Sequence, residues 1–306
     1  MHRRGRIYDS LAPVVRDLRR SEVRLVTGDY RAARQHWLSV TRIDAYPRLS
    51  RTVATAHAGD ITVESMGVLE LAIDLREAPV GEGDTLRVVI DGDDAYSGPR
   101  APLGHVAHFA RDGGVITGRW RLGFLPAATG LEKVPGLSGP LTDPYHDGMI
   151  HVYGTLGDAE LTARLHHTAD RGAGGWPLWL WNHEQPVVAD VDVTGEMMAR
   201  SHLVLYGTPG SNALLERMWS ALPITVAADG VHVGADLYAD EGVGTRFVYP
   251  NPLAPSRYVI VQAGVTMEGV SNGHELPDFL PDWVVYDAAT TRTRPRLIAG
   301  RRPGQV

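Results

Sequence analysis

The chain has 306 residues, a formal net charge of −6, 43% hydrophobic residues and 22% charged residues, values that are typical of a soluble globular protein of about two domains. The negative net charge argues against a nucleic acid or an anionic membrane surface as the main partner. Because the chain contains no cysteine, disulfides, zinc–thiolate sites and cysteine nucleophiles are excluded.

The first 21 residues predict one helix, which spans Ile7 to Leu18 and is bent or split at Pro13. This segment is basic and has no apolar core of the length that a signal peptide needs, and no apolar run elsewhere reaches transmembrane length. The chain as written is therefore expected in the cytoplasm. A periplasmic or extracellular location stays open if the chain is a fragment of a longer protein.

Residues 22–124 contain many short segments in which apolar and polar residues alternate, separated by turn signals such as Asp112-Gly-Gly114. Alternation with a period of two is typical of strands that have one buried face. Short, closely spaced strands predict an N-terminal antiparallel β-sandwich over this range. The segments are 23–27, 36–43, 49–56, 61–64, 68–75, 86–90, 105–109 and 115–122.

The following residues change from this pattern to one in which strands alternate with helices. Residues 125–148 are rich in Gly, Pro and Ser and are interpreted as a linker. Residues 149–289 predict a Rossmann-like α/β domain, with a helix from Asp158 to Ala169 and a short helix capped by Thr194. Residues 290–306 are interpreted as a frayed, basic tail. The predicted fold class is thus α+β or α/β with two domains.

Two segments of the α/β domain repeat one pattern at a constant offset. Val152-Tyr-Gly-Thr-Leu-Gly157 matches Leu205-Tyr-Gly-Thr-Pro-Gly210, and the matched positions continue into a helical segment after each. Each segment reads as strand, loop and helix, so the domain contains two similar βα units.

The loops of these two units are the candidate ligand-binding site. Backbone N–H groups at the start of a helix can hold an anion, and open α/β sheets bind ligands beside the carboxyl ends of their strands. The alternative is that the glycines make tight turns and that Ser211 or Asn212 caps the helix, since neither loop is a complete nucleotide-binding fingerprint. The candidate residues are Gly154, Thr155, Gly157, Gly207, Thr208, Gly210, Ser211 and Asn212.

A series of phrases in this order resembles the C-terminal region of large bacterial α/β-hydrolase proteins of the esterase and prolyl-oligopeptidase-like type. The resemblance covers about residues 7–287 and implies that the catalytic hydrolase domain would precede this region, with residues 7–20 as its last helix. It supplies no residue of established catalytic role. The phrases are Trp37-Leu-Ser-Val40, Val88-Val-Ile-Asp-Gly92, Lys133-Val-Pro-Gly-Leu-Ser-Gly139, Leu203-Val-Leu-Tyr-Gly-Thr-Pro-Gly-Ser-Asn212, Tyr249-Pro-Asn-Pro-Leu253 and Leu280-Pro-Asp-Trp-Val-Val-Tyr-Asp287.

One further motif, Gly269-Val-Ser-Asn-Gly273, fits the pattern of a nucleophile elbow. An elbow needs a strand directly before the serine and a helix directly after it, and the prolines at 277 and 281 disfavour a long helix. We therefore expect Ser271 in a loop and predict no catalytic residue. His274 is the only histidine that follows Ser271 and is too close in sequence to complete a triad.

Metal-ligating residue types occur at Asp143, His146, Asp147 and His151, but their spacing matches no standard site, and Asp91-Gly-Asp-Asp94 lacks the later acidic ligand of a calcium loop. No metal and no cofactor are predicted. The aromatic cluster Trp176, Trp179 and Trp181 fits either a groove for a sugar or peptide or packing against the core.

The leading functional hypothesis is a non-catalytic accessory module that packs against or positions an α/β-hydrolase domain, in cis or in trans. The alternative is a module that binds a small molecule or glycan through the strand-end loops. A third hypothesis is an esterase or peptidase of unusual layout. No nucleic acid and no membrane partner are expected.

Overall fold

The protein is described from a computed structural model, which covers residues 19–81, 83, 85–127, 130–175, 183–240, 242–287, 289–290 and 297–300, together with residues 13, 15 and 17. It is a mixed α+β structure with several β-sheets. Two compact units can be distinguished, Met1–Gly136 and Leu137–Val306. In the part of the chain that is described, no helix has both the length and the apolarity that crossing a membrane requires.

Unit 1 contains two five-stranded sheets. The first has the order β1-β4-β5-β7-β8. Its strands are β1 (Glu22–Thr27), β4 (Ser50–His57), β5 (Asp60–Met66), β7 (Thr85–Ile90) and β8 (Asp93–Pro99). The second has the order β10-β9-β6-β3-β2. Its strands are β2 (Arg34–Gln35), β3 (Leu38–Ile43), β6 (Val68–Asp74), β9 (Val106–Asp112) and β10 (Arg119–Leu122).

Both sheets of unit 1 contribute to one hydrophobic core. Ile61 and Val88 come from the first sheet, and Leu71 and Phe109 come from the second. Along β4 the residues alternate strictly between buried and more exposed, as expected for a strand with one face on a core. Alternation in the sequence therefore predicts which face of each strand is buried.

One strand pair in unit 1 differs from the predicted antiparallel arrangement, because β5 and β7 are parallel. The intervening strand β6 lies in the other sheet, so the chain leaves the first sheet and re-enters it in the same direction. The predicted hairpin at residues 112–114 is present between β9 and β10, but its connection includes a short helix, α1 (Gly114–Thr117).

Unit 2 contains a seven-stranded sheet with the order β12-β11-β13-β18-β17-β19-β20. The four strands β12, β11, β13 and β18 are parallel, and β17, β19 and β20 continue the sheet in antiparallel pairs. The strands are β11 (Met149–Tyr153), β12 (Val187–Ala189), β13 (His202–Tyr206), β17 (Gly244–Asn251), β18 (Ala254–Gly264), β19 (Trp283–Tyr286) and β20 (Leu297–Gly300).

Both predicted strand–loop–helix segments are present in this unit. Strand β11 leads to α2 (Ala159–Gly174), and β13 leads to α4 (Ala213–Met218). The short helix α3 (Gly195–Arg200) is capped by Thr194, whose side chain accepts a hydrogen bond from the Met197 amide, which confirms the predicted cap. A separate antiparallel sheet consists of β14 (Ile224–Ala227), β15 (Gly230–Val233) and β16 (Asp236–Tyr238).

The two faces of the large sheet are both buried. All five residues of β13 are buried, with Leu203 and Leu205 in one core cluster and Val204 and Tyr206 in the other. Helix α4 covers the first face. Helix α2 and a later helix, α5 (Met267–Ser271), contribute to the cluster on the second face. This second face contains the polar cluster described below.

Three predicted boundaries differ from the structure or lie outside it. Residues 137–148, predicted as linker, belong to unit 2, where Leu141 is buried and the Gly139 amide donates to the Tyr258 hydroxyl. The predicted frayed tail includes β20, because its backbone pairs with the open edge of β19. Most of the predicted N-terminal helix lies outside the described residues.

Candidate functional site

The two loops proposed as a ligand site lie against each other. Gly154 is buried, and a side chain at this position would collide with the backbone of Ser211 and Asn212. The Leu156 amide donates to the Ser211 carbonyl at 3.1 Å. Glycine is therefore required at 154 by the close approach of the second loop. The loops of the two similar βα units therefore pack directly against each other.

A buried carboxylate of the protein occupies the position where these loops direct their donors. Asp190, in the short 3-10 helix Asp190–Asp192, is 2% exposed. Its oxygens accept from the Thr155 hydroxyl at 2.7 Å, the Thr155 amide at 3.2 Å, the Val191 amide at 2.9 Å and the Ala213 amide at 2.6 Å. Charge-assisted hydrogen bonds of this kind are stronger than neutral ones. The donors of the loops thus bind an internal anion.

The second loop uses its polar side chains for local capping. Asn212 is fully buried; its side-chain oxygen accepts from the Leu214 and Leu215 amides, and its side-chain nitrogen donates to the Tyr206 carbonyl. The Ser211 hydroxyl accepts from the Thr208 amide at 2.9 Å. This is the geometry of a helix N-cap with a preceding turn.

The glycines of these loops have different environments. Gly207 has a φ of 111°, which favours glycine, and Gly210 is exposed and has open space around its Cα. Gly157 lies beside the Leu161 side chain. Ligand binding by the eight loop residues stays a prediction, and the hydrogen bonds favour the alternative of turns and caps.

A second polar cluster crosses the opposite face of the large sheet. Each of the four central strands contributes one side chain, namely His151 from β11, Tyr206 from β13, Gln262 from β18 and Arg246 from β17. Tyr206 pairs with Gln262, and Gln262 pairs with Arg246, in the register of neighbouring strands. Side chains at paired positions lie on the same face and about 5 Å apart, so these residues form a continuous polar row.

His151 links the row to Gln185 and packs beside Gly172 of α2. Its Nδ1 lies 2.8 Å from the Tyr206 hydroxyl, and its Nε2 lies 2.7 Å from the Gln185 side-chain oxygen. Because the amide oxygen accepts, Nε2 carries the proton and Nδ1 accepts from the tyrosine. A side chain at Gly172 of α2 would collide with the Tyr206 hydroxyl, so glycine permits this close packing.

Burial determines the charge state of these groups. Loss of hydration lowers the pKa of His151 to about 4 and raises the pKa of the Tyr206 hydroxyl above its ordinary value. Both side chains are therefore neutral at physiological pH.

His274 lies over the same row. Its ring is 5.9 Å from the Tyr206 ring, and its Nε2 donates to the Thr168 carbonyl at 2.8 Å. Burial, together with the positive charge of Arg246, lowers the pKa of His274 to about 3. A neutral imidazole that donates from Nε2 has an acceptor at Nδ1.

Arg246 is the charged member of the row. Its Nη2 donates to the Tyr145 hydroxyl at 2.7 Å, and its Nη1 makes a long contact of 3.4 Å with the Gly273 carbonyl. The Nε atom is buried without a hydrogen-bond partner. Among the described residues, no carboxylate lies within 4.0 Å of the guanidinium. A partly buried cation with neutral neighbours can accept an anionic partner.

A cavity of about 640 Å³ opens beside Arg246, within the size range of small-molecule sites. Its walls are the C-terminal part of α2, the segment 141–145 and the segment 274–280. None of the eight loop residues lines it. The lining residues are Leu141, Thr142, Tyr145, His167, Asp170, Arg171, Gly172, Gly174, Gly175, Arg246, His274, Glu275, Leu276, Pro277, Asp278, Phe279 and Leu280.

Ser271 is not arranged as a nucleophile elbow. It is the last residue of the short helix α5, which corrects the expectation of a loop, and two residues separate α5 from the end of β18. The Ser271 hydroxyl lies 3.4 Å from the Thr168 hydroxyl, while the His274 Nε2 is bonded to the Thr168 carbonyl. The helix forms because Thr266 caps it.

The residues of metal-ligating type serve other contacts. Asp143 accepts from the Tyr258 hydroxyl, and an Asp147 oxygen lies 3.6 Å from the His202 Nε2. In the described part of the chain, no group of three or more acidic or histidine residues could hold a metal ion. Trp176, Trp179 and Trp181 lie outside the described residues.

The sequence did not indicate the central residues of the two polar clusters, Arg246 and Asp190. Arg246 was not among the predicted site residues, although a charged residue beside an apolar strand segment is a usable signal. Asp190 has no comparable signal, because its donors come from loops 35 and 23 residues away. Only the fold brings them together.

Neither a family model nor a curated protein matched this sequence.

Proposed function

We propose that unit 2 binds a small organic anion in the cavity beside Arg246. The observation that supports this proposal is the guanidinium itself, which faces neutral hydroxyl and carbonyl groups and has no carboxylate partner in the described part of the chain. Removing a charge from water is costly unless an opposite charge compensates for it. An anion bound at Arg246 would supply that compensation.

The neighbours of Arg246 support binding rather than proton transfer. His274 and His151 are neutral near pH 7, because burial lowers the pKa of each. A general base needs a pKa near the working pH, and these values lie well below it. The Tyr145 hydroxyl, 2.7 Å from Nη2, orients the guanidinium. The cluster is therefore suited to recognising an anion without transforming it.

The test is a comparison of two arginine variants in the full chain. Thermal shift and calorimetric titration with acetate, 3-phenylpropionate, phosphate and citrate should reveal binding in the natural protein. Binding should be lost in Arg246→Met and retained in Arg217→Met, which removes an exposed charge of α4 outside the cavity. Equal affinities in the two variants, or no binding of any anion, would refute the proposal.

The wider role that we propose is a non-catalytic accessory module of an α/β-hydrolase-type protein, as the resemblance implies. In this interpretation unit 1 is a β-sandwich and unit 2 is a Rossmann-like domain with two similar βα units. The position of Ser271 supports it, since Ser271 ends a helix and its hydroxyl contacts the Thr168 hydroxyl, while the His274 Nε2 is bonded to the Thr168 carbonyl. The bound anion would then be a ligand or product of a partner hydrolase domain.

This role is tested by activity measurements. The purified chain should not hydrolyse short-chain p-nitrophenyl esters, and mixing with a hydrolase domain encoded beside it should give a complex in size-exclusion chromatography. Ester turnover that disappears in Ser271→Ala would overturn the non-catalytic assignment. Failure to associate with such a domain would remove the accessory role and leave anion binding unaffected.

A further inference from the structure

We propose that the ligand of this cavity is a monocarboxylate with an apolar body about the size of a phenyl ring, and that Phe279 selects that body. The inference rests on the proposed anion site at Arg246 and specifies its ligand class. It combines the charges that line the cavity, its apolar wall and the backbone conformation of one aromatic residue.

The charges of the lining favour a ligand with a single negative charge. Arg171 also lines the cavity, but its guanidinium is 3.2 Å from the Glu275 carboxylate. Asp170 and Asp278 add two further negative charges to the lining. Arg246 is thus the one cation of the described lining that has no carboxylate partner. A phosphate monoester, which carries about −1.5 to −2 charges at pH 7, or a polycarboxylate would be repelled by this rim.

The shape of the cation favours a carboxylate. A guanidinium presents donors in a planar fork that matches the two oxygens of a carboxylate. Of the Arg246 nitrogens, Nη2 contacts Tyr145, and Nη1 makes only the long contact with Gly273. Hydrogen-bonding capacity therefore remains on the Nη atoms.

The rest of the wall is apolar. Leu141, Leu276 and Leu280 are buried side chains of the second core cluster that reach the cavity, and Pro277 extends this surface. Burying apolar ligand surface against this wall is favourable, in proportion to the area removed from water. Acetate, which has only a methyl group, would contact Arg246 but would leave the apolar wall exposed to water.

Phe279 is the unusual residue of this wall. Its side chain is 84% exposed, and its φ is 61°. A bulky residue with positive φ is rare and strained, and strain of this kind clusters at ligand clamps. An exposed aromatic ring held at a cavity rim can stack on an aromatic or apolar ligand.

The experiment is calorimetric titration of the full chain with a matched panel of ligands. 3-Phenylpropionate has both the charge and the apolar body, 3-phenylpropanol lacks the charge, acetate lacks the body, and phosphate and citrate carry more charge. We expect 3-phenylpropionate to bind at least about tenfold more tightly than each of the others, since one charge-assisted contact or one buried ring contributes that much.

Two variants and one control test the roles of these residues. Arg246→Lys keeps the charge without the planar fork and should weaken 3-phenylpropionate binding by about tenfold. Phe279→Asn, which tolerates the same backbone conformation, should weaken it by about tenfold but leave acetate binding unchanged. The control is Phe124→Asn, which alters another exposed phenylalanine in unit 1. The melting temperature of each variant establishes that it is folded.

The outcomes separate this inference from the proposed function. If phosphate or citrate binds at least as tightly as 3-phenylpropionate and the binding depends on Arg246, the ligand class is wrong and the anion site stands. If Phe279→Asn binds 3-phenylpropionate as tightly as Phe124→Asn does, the role of Phe279 is wrong. If no member of the panel binds, the anion site itself is refuted.

Discussion

The two polar clusters of unit 2 differ in whether their donors meet a carboxylate of the protein. At the paired loops, four hydrogen bonds converge on Asp190. In the row across the sheet, Arg246 has only neutral partners among the described residues, and Nε has none. The loop sequences of the first cluster resemble an anion site, but their donors are already bonded to Asp190. The second has no sequence motif but retains the capacity to bind.

This difference shows why a donor-rich loop is not sufficient evidence of a ligand site. What matters is the number of donors that remain after the protein has used its own acceptors. The loops satisfy their donors internally and therefore act as structural joints between two βα units. The four predictions that follow test this contrast, from the largest expected effect to the smallest.

The largest effect is expected for Asp190→Ala. The substitution leaves the partly buried Thr155 and Ala213 donors without an acceptor, so the free energy of unfolding should fall by about 2–4 kcal/mol. Urea unfolding measures this, with Asp192→Ala, an exposed neighbour, as the control. Added phosphate should stabilise the Asp190→Ala variant selectively. A loss below about 1 kcal/mol would contradict the structural role of the carboxylate.

The second prediction concerns the buried hydrogen-bonded chain. His151→Leu should reduce the free energy of unfolding by about 2–4 kcal/mol, because the Tyr206 hydroxyl and the Gln185 side chain lose their partner. Adding Tyr206→Phe removes the unpaired hydroxyl. The double variant should therefore lose less free energy of unfolding than the sum of the losses in the two single variants. Additive losses in this double-mutant cycle would show that the two side chains are not coupled.

The third prediction is the pH dependence of stability. The pKa of His151 is about 4 and that of His274 about 3 in the folded state, against an ordinary value near 6.5 in the unfolded chain. Between these values the unfolded state binds more protons, so stability falls as the pH drops below about 6.5, by up to about 1.4 kcal/mol per pH unit for each histidine. The His151→Leu variant should show a shallower fall between about pH 6.5 and 4, measured by urea unfolding; an unchanged slope would refute this.

The smallest effect on stability is expected at the proposed binding residue. Arg246→Met removes a poorly compensated charge and keeps a long side chain, so the free energy of unfolding should change by less than about 1 kcal/mol, even though anion binding is lost. Chemical denaturation of this variant beside Arg217→Met provides the comparison. A loss of several kcal/mol would mean that Arg246 is needed mainly for folding.

Much of the local structure could be predicted from particular residues. Thr194, the predicted cap, accepts the expected amide hydrogen bond. The helix predicted from Asp158 is also present, with Asp158 as its N-cap. Another prediction was less accurate. The segment 137–148 looked like a linker because it is rich in Gly and Pro, yet Leu141 packs in the core of unit 2. Composition describes the flexibility of an isolated chain and not the partners that the fold provides.

The candidate site was harder to predict. The eight loop residues were predicted as a ligand site, and that prediction is not tested by the structure. The hydrogen bonds favour the alternative of turns and caps, since Asn212 caps α4 and Gly154 permits close packing. The cavity is formed by segments that precede β11, end α2 and follow α5. The proximity of these segments depends on strand order and helix packing, and neither produces a short motif that can be recognised in the sequence.

The sequence by itself determined where most strands and helices form and which strand residues face a core, because these follow from local propensity and from periods of 2 and 3.6 residues. The tertiary structure alone decided that Asp190 fills the paired loops and that Arg246 lies beside Gln262. These are long-range pairings set by the order and register of the strands, and they determine which polar groups are satisfied and which remain able to bind.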